Sequence, residues 1–448
     1  MIGDRHHVLF TAGKNPVPCL VGVARLMTFL REQHDELPAV TAIAAGTTVP
    51  PEVTAIRDLL YRRFSRSDFW RDPWLVRDAR DPQEILATIR ARLPRLGSPG
   101  MIYFHYSGGT KAMIVHTMEA LRDLDDGKPE SSRLQIQLSY LNAERHRVLT
   151  EGGPLLTGGA DDERDDWGLT VADLARLHEI VVEPLSVVTP VQVEAAAETF
   201  DALMDPGCWQ EYLVWEGDYR QNALGGRWDR IRERDFPAEP VPWPCISSPS
   251  WNSATLALSA ATESEFLRNS SAGWALDFGS VSETAVQRFN RLIASGTLLE
   301  LAAYKAFIVA LGRVGRATDG ERARHSVLLK LGTVTAEVDI AAVLGFQLVA
   351  VSCTRAGAGS RHEIKARGFE VLHRARQLGG DGARAILICR LNASDAWKLE
   401  QDLRDDTGIS EPPLRVWGAD KWDDLRAAFA EYLIDELRIE PWTTPASA

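Results

Sequence analysis

Five consecutive residues have types suited to binding an anion: Ser107-Gly108-Gly109-Thr110-Lys111. Two glycines let backbone approach a ligand closely, and exposed N–H groups ahead of a helix favour negative charge. Thr110 is suited to cap that helix or bond a phosphate, and Lys111 adds a full positive charge at the same spot. Two more breaker clusters, Gly13-Lys14-Asn15-Pro16 and Gly46-Thr47-Thr48-Val49-Pro50, also follow strand-like runs. Three such loops predict a site for a small anionic ligand. The G-x-x-x-x-G-K spacing of a nucleoside-triphosphate loop is absent. A second constellation is acidic. Glu300 lies in the helix-like run Leu298–Tyr304, while Glu337 and Asp339 bracket Val338 on a strand. Strand alternation then points both carboxylates to one face. The next strand runs from Leu348 to Thr354 and meets Arg355. Carboxylates grouped this way suit a divalent cation.

The elements that must position these residues are legible as alternating runs. Strands are expected at 8–12, 40–45, 74–76, 101–106 and 134–140, with helices at 18–36, 52–64, 82–93 and 112–124 between them. Repeated βα units predict a mostly parallel sheet with helices on both faces, and ligands bind at the carboxyl ends of such strands. Residues 150–168 are rich in Gly and Asp and read as a linker, with the acidic run 161–166 solvated. The spans are 1–150 for the first domain, 151–189 for a connector with a helix near 169–180, 190–285 for a Trp-rich insertion or small domain, and 286–448 for the last domain. Six of the 13 tryptophans fall in 190–285. The last domain reads as a helix at 296–311, strands at 326–331, 336–343 and 346–352, a helix at 362–378 and a strand at 385–390.

The strand ending at Tyr106, its Ser107–Lys111 loop and the earlier Ala12-Gly13-Lys14-Asn15-Pro16 loop resemble the CARF domain, the CRISPR-associated Rossmann-like sensor of cyclic oligoadenylates. The resemblance spans roughly residues 1–150. It implies a homodimer that binds cyclic tetra- or hexa-adenylate across its dyad. The implied contacts are Gly13, Lys14, Asn15, Thr47, Ser107, Gly108, Gly109, Thr110 and Lys111. The C-terminal order resembles the PD-(D/E)XK nuclease fold: a helix with Glu, a strand with Asp, an adjacent strand with E-x-K, then a helix. This implies Mg²⁺ or Mn²⁺ on Glu300 and Asp339, a catalytic set of Glu300, Glu337, Asp339, Ser352 and Thr354, and DNA or RNA as substrate. The sequence departs from that pattern in one strand. Ser352 stands where the acid is expected and Thr354 where the lysine is expected. Neither hydroxyl carries charge, so the double change should cost several powers of ten in rate unless other residues compensate. Glu337 and Arg355 are the candidates. Glu363 and Lys365 sit two apart on a helix and point away from each other.

The whole chain thus resembles the CRISPR ancillary nucleases that join these two domains. The fold class expected is α/β, a Rossmann-like CARF domain followed by a restriction-endonuclease-like domain. The function implied is a type III CRISPR effector switched by its ligand to cut nucleic acid. The alternatives are a ligand-binding protein with a non-catalytic nuclease fold, and an enzyme that degrades the cyclic ligand.

Composition bounds these readings. The 448 residues carry 50 Lys+Arg against 62 Asp+Glu, a net charge of −12, which excludes a broad basic coat for nucleic acid. Eight cations are Lys and 42 are Arg, so two lysines in the glycine loops are a pointed placement. No run of ~18 apolar residues predicts a membrane span, and the first residues do not read as a signal peptide. Five cysteines, widely spaced and without a C-x-x-C pair, suit a reducing cytoplasm rather than a disulfide framework or zinc site. Cys353 is expected in the core, and His105 as a hydrogen-bonded core histidine.

Overall fold

The computed structural model describes residues 6–96, 100–123, 135–142, 146–151, 153–154, 168–184, 188–205, 207–226, 231–262, 267–271, 273–279, 281–314, 322–408 and 413–439. The first half runs β1 (His6–Thr11), α1 (Val17–His34), β2 (Ala39–Ala45), α2 (Pro51–Phe64), β3 (Trp74–Val76), α3 (Pro82–Arg92), β4 (Met101–His105), α4 (Lys111–Asp123), β5 (Gln135–Asn142), β6 (Arg147–Thr150) and β7 (Gly153–Pro154). These strands form one sheet in the order β3-β2-β1-β4-β5-β6-β7. The first five in that order are parallel, and β6 and β7 extend the edge antiparallel.

Both faces of this sheet are covered, so its central strands are apolar throughout rather than alternating. Val8 and Phe10 join the core beneath α1 and α2, while Leu9 points the other way into the core beneath α3 and α4. Sharp starts fix the helices. Asp81 caps α3 by accepting the Gln83 N–H at 2.9 Å, with Pro82 at the first helical position. The order of successive strands reverses at β1, with β2 on one side and β4 on the other. The crevice at the carboxyl ends of β1 and β4 is therefore the topological switch point.

The second half runs α5 (Val171–Leu177), β8 (Val181–Pro184), α6 (Pro190–Leu203), α7 (Cys208–Asp218), β9 (Val241–Pro242), α8 (Trp251–Ala261), β10 (Leu267–Ser270), β11 (Gly273–Leu276), α9 (Glu283–Ile293), α10 (Ser295–Arg313), β12 (Ala323–Leu331), β13 (Val334–Leu344), β14 (Gln347–Gly357), α11 (Arg361–Gly379), β15 (Arg384–Arg390), α12 (Ala393–Thr407), β16 (Leu414–Trp417) and α13 (Leu425–Glu431). Its main sheet has the order β16-β15-β14-β13-β12-β8. The stretch β8 to β14 is antiparallel, and β14 to β16 is parallel. The expected α-β-β-β-α-β order is present from α10 to β15, and the α/β fold class holds in both halves.

The middle segment shares its core with the last domain. A single core joins Phe200, Tyr212 and Trp251 to Phe307 of α10 and to Val349 and Val351 of β14. The tryptophans fill that core: Trp243 stacks on Trp251 at 5.9 Å, and Trp215 on Tyr219 at 5.1 Å. Trp228 lies outside the described residues, as does the acidic run 161–166. Residues read as a connector supply an edge strand, since β8 pairs with β12. On the other face, α11 covers β14 and β15, and its core is continuous with that of α1 and α2.

Candidate functional site

At the switch point, the loops after β1 and β4 interlock so tightly that only glycine fits. A Cβ on Gly13 would lie 2.5 Å from the Gly109 nitrogen. One on Gly108 would lie 2.2 Å from Cys19 Sγ, and Gly109 has φ +80°. Thr11 locks the pair from below by donating its hydroxyl to the Gly108 carbonyl at 2.5 Å. Thr110 takes the capping role. Its hydroxyl donates to the Ala79 carbonyl and accepts the Met113 N–H, both at 3.1 Å. That leaves its backbone, not its side chain, for a ligand. Ser107 Oγ accepts the Leu141 N–H at 2.6 Å and keeps its own proton to donate.

Charge completes the crevice. Lys14, Thr47, Thr110 and Lys111 are exposed, and Asn15 and Ser107 are half-buried beside them. Among the described residues, Lys305, Lys330, Lys365, Lys398 and Lys421 each pair with a carboxylate. Lys14 and Lys111 are the two described lysines outside any ion pair. Below the loops, burial pushes the Cys19 thiol up to about 12 and the His105 imidazole down to about 4. Both are inert packing. His105 is held between Ser139 Oγ and the Pro18 carbonyl, each at 3.1 Å, as a core histidine.

The acidic group in the second half sits where the sheet becomes irregular. The β13–β14 ladder ends at Ile340–Val351. The next N–H, on Cys353, donates instead to Asp339 Oδ2 at 2.6 Å, and Ser352 Oγ donates to the same oxygen at 3.1 Å. Across the sheet, Ser326 has φ +54° and donates to Glu337 Oε1 at 2.8 Å. Glu300 approaches from α10. Burial, and then the charge of Glu337, push its carboxyl up to about 7, against the opposing charge of Arg367. Burial and the charge of Glu300 push Asp339 to about 7 as well, despite its two hydrogen bonds. Glu300 thus feels the charge of Glu337, and Asp339 feels both.

Other expected participants are committed elsewhere. Thr354 Oγ1 accepts the Ala356 N–H at 3.2 Å. Arg355 pairs at 3.2 Å with Glu216, a carboxylate only 2% exposed on α7. Lys365 pairs with Asp406 at 2.6 Å, apart from Glu363. Cys353 is buried, and its thiol is pushed up by burial and by Asp339.

Several solved structures share this fold. Protein VC1899 from Vibrio cholerae superposes with a TM-score of 0.62 at 16% identity, over 96% of this chain and 98% of its own. Can2 from Sulfobacillus thermosulfidooxidans, solved in complex with cyclic tetra-adenylate, gives 0.56 at 12% identity, over 96% and 98%. No protein-family model and no curated relative matches the sequence. The whole-length likeness shows that both halves, in this order, form a known arrangement.

One residue of the acidic group escaped the sequence reading. His325 lies with Nε2 at 3.8 Å from Glu300, its side chain 9% exposed and both ring nitrogens without a hydrogen-bond partner. The signal was pairing, not spacing: β12 sets His325 opposite Ile340, beside Asp339. Among the described residues, no three His, Cys, Asp or Glu side chains already surround a common point as a metal cage. Nor is any single described helix long and apolar enough to cross a membrane.

Proposed function

We propose that this chain is a CRISPR ancillary effector of the cytoplasm. Its first domain binds a cyclic oligoadenylate, and its second, switched by that ligand, cleaves nucleic acid with a divalent metal. One observation carries the first half. Lys14 and Lys111, left without ion-pair partners among the described residues, stand on glycine loops at the switch point of a parallel sheet. Backbone N–H groups and two ammonium groups suit the phosphodiesters of a small ring. In a homodimer, two such crevices would face one ring. Can2, which shares the fold, was solved with cyclic tetra-adenylate.

Glu300 and Asp339 carry the second half. Burial pushes both carboxyls up to about 7, with the charge of Glu300 adding to the shift of Asp339, so the two form an acidic pair that a counter-charge would relieve. That donor set fits Mg²⁺ or Mn²⁺, which bind through one or two carboxylates and complete their shell with water and substrate phosphate. The ion supplies positive charge against a phosphodiester. The chain's own part is orientation: Ser352 and the Cys353 N–H fix one Asp339 oxygen, leaving the other free. Glu337, exposed on the same strand, would take a proton from water in this reading.

A second reading is a ligand-switched binding protein without catalysis. It is favoured by the committed hydroxyls of Ser352 and Thr354 and by the lack of a lysine beside Asp339. One experiment separates the readings. Purified protein is incubated with cyclic tetra- or hexa-adenylate, Mn²⁺ or Mg²⁺, and single- and double-stranded DNA and RNA. Ligand-dependent cleavage that is lost in Asp339→Ala supports the nuclease. Ligand binding without cleavage supports the second reading. Consumption of the cyclic ligand points to its degradation by the first domain.

A further inference from the structure

We propose that the cleft between the two halves is a nucleobase pocket, so that one adenine of the cyclic ligand reaches past the first domain and touches the second. The inference rests on the sensor reading above and extends it. A cavity of about 280 Å³ is lined by Asn15, Tyr106, Ser107 and Tyr140 on one side and by Phe346 and Asp381 on the other. Asn15 and Ser107 belong to the anion loops, so the cavity adjoins the place where phosphates would lie. Its size is at the small end of ligand pockets, which suits one flat base and not a nucleotide chain.

The lining selects a neutral group. Among the described lining residues there is no Lys or Arg; Asp381 brings a carboxylate and His146 an imidazole beside Phe346, a lining better suited to an amino-bearing ring than to a phosphate. Asn15 Oδ1 is buried against Gly380 without a hydrogen-bond partner, an unmet acceptor in the wall of the cavity. An asparagine amide matches the N6/N7 edge of adenine. Tyr106 and Tyr140, with ring centroids 5.5 Å apart and planes 31° apart, offer faces for stacking.

The geometry couples the halves. Asn15 packs so closely on the end of α11 that a Cβ on Gly380 would lie 2.5 Å from its Oδ1. Phe346 is at the tip of the β13–β14 hairpin, whose strands carry Asp339 and Ser352. A base in the cleft therefore presses on the elements that hold the acidic group.

Gly382 allows a clean test. It lines the cavity, its backbone is outside the left-handed region, and a Cβ there meets nothing within 4 Å. Gly382→Leu should fill the space without straining the fold. Calorimetric titration with cyclic tetra-adenylate and cyclic hexa-adenylate is expected to show at least tenfold weaker binding for Gly382→Leu at an unchanged melting temperature. Asn15→Ala should weaken binding as well. Wild-type binding with unchanged affinity in both variants would overturn the pocket and leave the sensor intact. No binding by the wild type would overturn the sensor reading and the pocket with it.

Discussion

Lysine is scarce in this chain, and the described ones outside the ligand loops are tied to carboxylates. On the proposed reading, Lys14 and Lys111, held outside ion pairs beside glycine backbone, are what would turn a generic crevice into an anion site. The glycines are equally specific. Gly108→Ala would drive a Cβ into Cys19 Sγ and the Thr11 carbonyl, so it should destabilise the protein by about 1–3 kcal/mol, read by denaturant unfolding. At the acidic group, the sign of the pH effect follows from the raised carboxyls. Asp339 and Glu300 ordinarily titrate at 3.8 and 4.5 but near 7 when folded, so the folded state holds their protons more tightly. Their contribution is fully present below their ordinary values and is lost as pH rises through about 7. Metal-free Asp339→Asn should therefore melt about 2–4 °C above wild type at pH 8 and level with it at pH 4. Added Mn²⁺ should raise the wild type and not the variant. A variant that melts lower than wild type at pH 8 would show that the charge is already balanced.

At the scale of elements, β14 decides what the second domain can do. It carries Ser352 and Thr354 where the nuclease resemblance expects an acid and a lysine, and its ladder with β13 stops just before Ser352. Ser352→Glu adds a third carboxylate beside Asp339. It should lower the metal-free melting temperature by a few degrees and restore it with Mn²⁺. With Thr354→Lys added, cleavage should rise by about two orders of magnitude or more in a single-turnover assay, since charge returns at the reacting phosphate. An unchanged rate in the double variant would mean that the site lacks more than these two groups. These elements were largely readable beforehand. Parallel strands such as Val8–Phe10 announce themselves by continuous apolarity, and the Gly332-Thr333 turn by its residues. Pairing between distant segments was not readable. The edge strand β8, the shared core of the Trp-rich segment and the approach of His325 to Glu300 depend on which strand lies beside which. Local periodicity is silent on that choice. Thr110 shows the same limit within one loop: sequence allowed a cap or a phosphate contact, and the Ala79 carbonyl decided for the cap.

For the whole molecule, continuity between the halves matters most. One core runs from α1 and α2 to α11, and Arg62 of α2 grips Asp173 of α5 with bonds of 2.9 and 2.6 Å. Breaking that link with Arg62→Ala should leave ligand affinity within about twofold while lowering the melting temperature by about 1–3 °C, because Asp173 is mostly buried and also caps α5. The net charge of −12 fits a protein that takes a small phosphate ring through local groups rather than a polyanion through a basic surface. The central claim is therefore the crevice itself. Its most direct test is equilibrium titration of cyclic tetra-adenylate against wild type, Lys111→Ala and Lys14→Ala/Lys111→Ala. Submicromolar binding by the wild type, at least tenfold weaker in the single variant and lost in the double, is the predicted result. Equal affinity in all three proteins, or none in any, would contradict it.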